Sequence, residues 1–382
     1  MESRIVREGK YIGKTRSPVL LARPVGRVLW GCGTGPLPCL RPVTDDRGAA
    51  HPAGPPARNP RPVQSPTRTV PDPYSPRPVQ SPARTVRRPQ SAVKESSRTV
   101  PRTPAEEEAS AFAHPPAAPD ATVRYGDHPD QVVDLWAPGG RAVPAPAPLV
   151  VLVHGGAWRE PYDRLHVSPV AAFLAGRGLA VASVEYRRTD GADTKGGWPH
   201  TLDDVAAAVD ALPGLVEKAL PGAADTGRTV LAGHSAGGQL VLWAASRHRL
   251  PAGSRWHRAS PPPGLRGVVG LAPIAHFDSA VALSVCNDAV TEFLGGPDLL
   301  PGRLPLTDPA RVLPAGVPVT LVHGRDDVDV PLAVSEAYVR AAAAVGEEPR
   351  LTVLEDTGHF PLIDPSADAC ATVAEEIARL AR

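Results

Sequence analysis

The sequence predicts an α/β protein with a mostly parallel central sheet and helices on both of its faces. Three observations carry that expectation. From about residue 120 onward, short β-branched runs alternate with alanine-rich helical stretches, the order that buries a parallel sheet between two helix layers. One run, residues 148–153, is apolar throughout, as a strand covered on both faces must be. The residues that could carry chemistry stand just after such strands, at the carboxyl edge where open α/β sheets place their sites.

Ahead of that domain lies a different kind of chain. Residues 1–115 hold 20 of the 47 prolines and 19 Lys/Arg against 9 Asp/Glu. Residues 116–382 hold the remaining 22 Lys/Arg against 31 Asp/Glu, so the formal net charge of +1 hides a basic arm joined to an acidic domain. Residues 41–104 offer hardly a run that could supply a buried face, and such a segment cannot offset the entropy of ordering its backbone. A disordered arm over 1–115 and a catalytic domain over 116–382 are therefore expected. Within the arm, Arg61-Pro-Val-Gln-Ser-Pro-Thr-Arg-Thr-Val70 returns as Arg77-Pro-Val-Gln-Ser-Pro-Ala-Arg-Thr-Val86, a low-complexity duplication without an apolar face. Such a polycation suits nucleic acid, an anionic membrane or a proline-reading module. The plainer readings are a solvated tail, or a start codon assigned upstream of the true one.

Several classes fall away on composition. Glycine has no three-residue period, which excludes collagen, and no apolar run reaches the ~18 residues of a membrane span. Arg23 and Arg27 interrupt the mildly apolar stretch over residues 20–30, which spoils it as a secretory signal. Cys32, Cys39, Cys286 and Cys370 show no metal spacing. A cytoplasmic, reduced protein is expected, without metal or organic cofactor.

The elements follow in order. Residues 122–125 and 131–136 read as a hairpin, 148–153 and 179–186 as strands, and 201–220 as an amphipathic helix with Leu202, Val205, Ala206 and Val209 at helical spacing. Four more strands fall at 229–232, 267–271, 317–322 and 351–354, and helices at 331–344 and 368–380 accompany the last two.

The segment Thr229-Val-Leu-Ala-Gly-His-Ser-Ala-Gly-Gly238 centres Ser235 in Gly-x-Ser-x-Gly. A hydroxyl nucleophile must stand clear of the backbone within reach of a base; a sharp strand-to-helix turn achieves this where Gly233 and Gly237 leave room for the crossing. The segment His154-Gly-Gly-Ala-Trp158 follows the apolar strand. A developing oxyanion needs two or three N–H donors aimed at one point; Gly155, Gly156 and Ala157 are candidates, with Ala236 after the nucleophile. Asp326, Asp327 and Asp329 follow a buried strand, and His359 follows the last one. Serine, carboxylate and histidine, in this chain order, supply a nucleophile, an orienting acid and a general base.

From about residue 120 to the end, the chain resembles an α/β-hydrolase. It is most similar to the branch of small esterases with a His-Gly-Gly-x-Trp oxyanion segment, which includes kynurenine formamidase-like and acetyl/feruloyl esterase-like enzymes and, more distantly, the hormone-sensitive-lipase type. Gly-His-Ser-Ala-Gly-Gly, Glu185-Tyr-Arg187, and Trp198-Pro199 ahead of Asp203-Asp204-Val205 carry the resemblance. In the family's His-Gly-x-x-Asp-x-x-Val-Pro segment the acid lies four residues before the proline, which implies Asp327. Ala157 stands where the lipase type has a third glycine, a departure toward the formamidase and esterase side. The first 115 residues match nothing in the family.

The resemblance implies a triad of Ser235, Asp327 and His359 that hydrolyses a small-molecule ester or amide through an acyl-enzyme. Carboxylic esters of small to moderate acyl size are the first expectation, because the interval 276–313 is too short for a large lid. Trp158, Phe277 and Phe293 are the candidate pocket walls. An arylformamidase acting on N-formylkynurenine is the second reading. A non-catalytic scaffold whose basic arm does the binding is the third. The catalytic domain itself is expected to bind no nucleic acid.

Overall fold

The computed structural model describes residues 103–140, 146–189 and 197–382. The repeat, Cys32, Cys39 and the rest of the arm up to residue 102 lie outside the described residues. The first helix, α1 (Pro104–Phe112), falls inside the span expected to be an arm. It starts there because Thr103 and Glu106 form a reciprocal capping box and Pro104 occupies the first turn, where its missing N–H costs nothing. Residues 103–115, which composition assigns to the arm, thus already include a capped helix. Composition sums over proline-rich sequence on either side, whereas the cap is a local signal.

Two strands follow, β1 (Ala121–Arg124) and β2 (Val132–Trp136), paired antiparallel. Then come β3 (Ala147–Val153), α2 (Ser168–Ala175), β4 (Ala180–Val184), α3 (His200–Ala219), β5 (Ala224–His234) and α4 (Ala236–Ala245). After β6 (Leu265–Leu271), three short helices, α5 (Phe277–Ala282), α6 (Ala289–Phe293) and α7 (Leu300–Thr307), occupy the interval expected to cover the site. The chain closes with β7 (Val319–Gly324), α8 (Leu332–Ala344), β8 (Arg350–Leu354) and α9 (Asp368–Leu380).

The strands form one eight-stranded sheet in the order β1-β2-β4-β3-β5-β6-β7-β8. Only β1–β2 and β2–β4 pair antiparallel; the six strands from β4 to β8 are parallel neighbours. This is the expected α/β architecture. Its pleat divides the core in two. Val150, Leu152, Val230 and Val322 face α2 and α9, while Val151, Val153, Leu231 and Leu321 face α3, α4 and α8. Alternate residues point to opposite faces and both faces of the central strands are covered, so β3 is apolar at every position from 147 to 153. Truncating Leu152 to alanine would cost about 2–5 kcal/mol.

Among the described residues no helix is long and apolar enough to cross a membrane. Nor does any group of three or more His, Cys, Asp or Glu come together as a metal site.

Candidate active site

The parallel strands end on one edge of the sheet, and the turns that leave β3, β5, β7 and β8 meet there. At the end of β5 the chain reverses into α4 within one residue. Ser235 takes φ 54° and ψ −118°, in the left-handed half of conformational space, which a side chain with a Cβ rarely enters. The glycines around it are sterically required. A Cβ at Gly233 would run into the main chain of Gly237, and one at Gly237 into the Val153 and His154 carbonyls. Ala236 opens α4, so its N–H is among the four at a helix start with no intrahelical acceptor.

The segment after β3 is equally unusual. Gly156, Ala157 and Trp158 have φ of 100°, 52° and 58° in succession. This left-handed run lays the main chain past Ser235. A Cβ on Gly155 would stand 2.9 Å from the His234 carbonyl and 3.0 Å from the Ser235 side chain. The turn is braced from behind. His154 is fully buried, stacks on Tyr186 at 4.3 Å and reaches Glu185 Oε1 at 3.0 Å. The Tyr186 hydroxyl donates to the His154 carbonyl at 2.9 Å. Glu185 also accepts the Arg164 N–H at 2.9 Å and pairs with Arg188. Burial opposes ionisation of Glu185, yet His154 and Arg188 outweigh it and bring its carboxyl down to about 2. Arg187 is bound to Asp204 through two nitrogens, at 2.8 and 2.6 Å. Both arginines are thus committed to partly buried ion pairs, away from any substrate.

At the ends of β7 and β8, the His359 Nδ1–H donates to Asp327 Oδ2 at 2.6 Å. The other Asp327 oxygen accepts the N–H groups of Asp329 and Val330 at 3.0 and 2.8 Å. Asp326 and Asp329 make no such bond to the imidazole, so of the three candidate carboxylates Asp327 is the one that meets it. Burial works against the Asp327 charge, but His359 and His323 hold its carboxyl well below the usual carboxylate range. Burial likewise disfavours a charged His359, and the Asp327 carboxylate outweighs it, so the imidazole titrates above the ordinary histidine value. His323 is locked between the Ser335 hydroxyl and the Val330 carbonyl, each at 2.7 Å. The His234 ring lies 4.4 Å from that of His359, tilted by 44°, and donates from Nε2 to the His359 carbonyl at 3.1 Å. Its burial, and then the neighbouring His359, keep that ring neutral.

Ser235 and His359 line one cavity of about 220 Å³, with Gly156 and Ala157 on its wall. A direct bond between the Ser235 hydroxyl and the imidazole is not formed here; such bonds often tighten only when substrate is present. The rest of the wall differs from expectation. Trp158, Phe277 and Phe293 do not line the cavity. They are fully buried against one another, Trp158 stacked on Phe293 at 4.5 Å and edge-on to Phe277 at 5.8 Å. Trp158 Nε1 donates to Gln239, which holds the ring inside the core. Other side chains take the place instead: Arg159, Tyr162, His166, Cys286, Asn287, Asp329 and Phe360, joined by Phe112 from α1. Phe112 stacks on His166 at 5.6 Å and meets Phe360 at 5.7 Å. The sequence held one usable signal for Phe112, the Thr103-Pro-Ala-Glu106 capping box that starts its helix.

The family model described as BD-FAE matches residues 133–341, a span that includes Ser235 and Asp327. Among curated relatives, Esterase LipC of Mycobacterium tuberculosis (strain ATCC 25618 / H37Rv) is 26% identical over 279 residues, covering 67% of this chain and 65% of that protein. The probable isoprenylcysteine alpha-carbonyl methylesterase ICME of Oryza sativa subsp. japonica is 25% identical over 252 residues, covering 62% and 57%. The chain thus spans somewhat under two thirds of the length of the curated relatives it matches. Among solved structures, a truncated carbohydrate esterase from gut microbiota superposes with a TM-score of 0.58 at 19% identity, covering 70% of this chain and 99% of that one. Esterase B from Lactobacillus Rhamnosis (HN001) gives 0.57 at 20% identity, covering 72% and 91%. At such identities the likeness speaks to the fold.

Proposed function

Because the chain belongs to the BD-FAE family and has the α/β-hydrolase fold, we propose that it is a serine esterase that cleaves carboxylic esters of small to moderate acyl size. The observation that carries this reading is the 2.6 Å bond from His359 to Asp327, set in the same cavity as a Ser235 held at φ 54°. Asp327 fixes the imidazole with its proton on Nδ1, leaving Nε2 to take the Ser235 proton as the hydroxyl attacks the carbonyl carbon. The tetrahedral oxyanion rests on the N–H groups of Gly156 and Ala236, with Gly155 or Ala157 as a third donor. His359 then protonates the leaving alcohol, and water, activated by the same imidazole, releases the acid.

One feature favours esters over formamides: the relatives are named as an esterase and a methylesterase. The cavity of about 220 Å³ suits a short acyl group of either kind. A cytoplasmic setting accords with Cys286 and Cys370, which are unpaired thiols.

The test compares the protein with its Ser235→Ala variant on p-nitrophenyl acetate, butyrate and octanoate and on N-formylkynurenine. We expect acetate and butyrate to turn over, octanoate to lag, and the variant to lose at least about a thousandfold in kcat with an unchanged melting temperature. Full activity in Ser235→Ala would refute the assignment. A kcat/KM far higher on N-formylkynurenine than on the esters would replace the ester reading with the formamidase one.

A further inference from the structure

Helix α1 precedes the span matched by the family model, yet it grips the segment that carries His359 at both ends. Glu107 is buried, and its Oε1 accepts the N–H of Gly358, the residue before His359, at 3.0 Å. A Cβ on Gly358 would collide with Oε2, so the carboxylate lies directly against that glycine. At the other end the Ser110 hydroxyl donates to Asp364 Oδ2 at 2.6 Å, and His114 Nε2 donates to Asp364 Oδ1 at 2.8 Å. Between them, Phe112 meets Phe360.

We propose that Glu107 is a positioning residue for His359: its carboxylate fixes the peptide that carries the imidazole and adds, behind the ring, negative charge that favours the imidazolium formed during acyl transfer. The inference rests on the reading of Ser235 and His359 as nucleophile and base. Among the described residues, the charged and titratable groups around His359 include Asp327 and Asp329 from the β7–α8 connection, His323 from the end of β7, His234 from the end of β5, Glu107 from α1, and Arg159 and His166 on the wall of the same cavity. Against burial, which lowers it, the imidazole is raised by Asp327 first, then by Asp329 and Glu107.

The experiment labels Ser235 in the full chain with an alkyl fluorophosphonate and follows the labelling rate against pH. It compares wild type, Ser235→Ala, Glu107→Gln, Glu107→Ala and Ser110→Ala. Labelling needs His359 neutral, so the rate falls on the acidic side. Glu107→Gln keeps an acceptor for the Gly358 N–H but lacks the charge. Its acidic limb should move to lower pH by about 0.5, with the melting temperature kept within about 2 °C. Glu107→Ala should show the same displacement and a further drop of about tenfold at every pH, from looser placement of the base. Ser110→Ala loosens α1 without touching the charge and should leave the limb in place. If Glu107→Gln fails to fold, Glu107→Ala, which also lacks the charge, carries the comparison of the acidic limb, with Ser110→Ala as the control for a loosened α1. An unmoved limb in the Glu107 variants overturns this inference and leaves Ser235 as nucleophile. Failure of the wild type to label, or equal labelling of Ser235→Ala, overturns the serine reading and this inference with it.

Discussion

Single residues at this site are held in backbone conformations that L-residues rarely adopt. Gly156 is the most constrained of them. Its φ of 100° lies outside the range an L-residue adopts comfortably, and a Cβ there would press into the Tyr162 side chain, 2.7 Å from Cγ. Gly156→Ala should therefore act twice. Displacing one oxyanion donor should cut kcat on p-nitrophenyl butyrate about a hundredfold, and the strain should lower stability by about 2 kcal/mol in a urea titration. An alanine variant with wild-type kcat would remove Gly156 from the oxyanion hole. Ser235 shows the same tension, since a glycine would occupy φ 54° more readily, but a glycine has no side chain with which to attack a carbonyl. Positions of this kind are legible in sequence because Gly-x-Ser-x-Gly and His-Gly-Gly record where a Cβ is forbidden. The wall residues Arg159, Tyr162, Asn287 and Phe360 left no such record, since nothing in their identity or spacing says which side chains will turn toward the cavity and which toward the core. Trp158 illustrates the failure. It stands next to the oxyanion segment, yet its left-handed backbone turns the ring inward onto Phe293.

Among the elements, the strands and the long helices were the most legible, because a strand covered on both faces must be apolar throughout and an amphipathic helix repeats every three to four residues. The short helices α5, α6 and α7 carry too few turns to show a period, and between them Ser284, Cys286, Asn287 and Asp288 all take positive φ. One residue just after α7 makes this covering region sensitive to pH. Asp308 is fully buried, and burial pushes its carboxyl up to about 7 despite N–H donors from Ala310 and Phe277. The unfolded chain would release that proton near pH 4. The stabilising contribution of Asp308 is therefore complete below about pH 4 and is lost as pH rises through 7. Asp308→Asn should be more stable than wild type at pH 8 by about 1–3 kcal/mol and indistinguishable from it at pH 4. Calorimetric scans at the two pH values check this, and an equal gap at both would show that the carboxyl does not titrate in this window.

At the scale of the whole molecule, the sheet was foreseen but the boundary of the folded part was not. The charge split between residues 1–115 and 116–382 drew attention to a change of composition. Ahead of that change, the capping box of Thr103 already starts helix α1. A chain that starts at Thr103 should melt with the full protein and keep its esterase activity. One that starts at residue 115 loses the bonds from Glu107, Ser110 and His114 to the His359 segment; it should melt about 5 °C lower and lose most of its kcat. Equal melting of the two truncated chains would show that α1 contributes nothing to the fold. The same three bonds join residues 250 or more positions apart in the sequence, and this separation governs when the molecule becomes competent. A ribosome adding about 5–20 residues per second needs on the order of ten to fifty seconds to travel from Glu107 to Gly358. By the time Ser235 has been added, the segment that carries His359 has still to be made. On the proposed mechanism a chain that stops short of His359 has a nucleophile without its base and should leave esters intact.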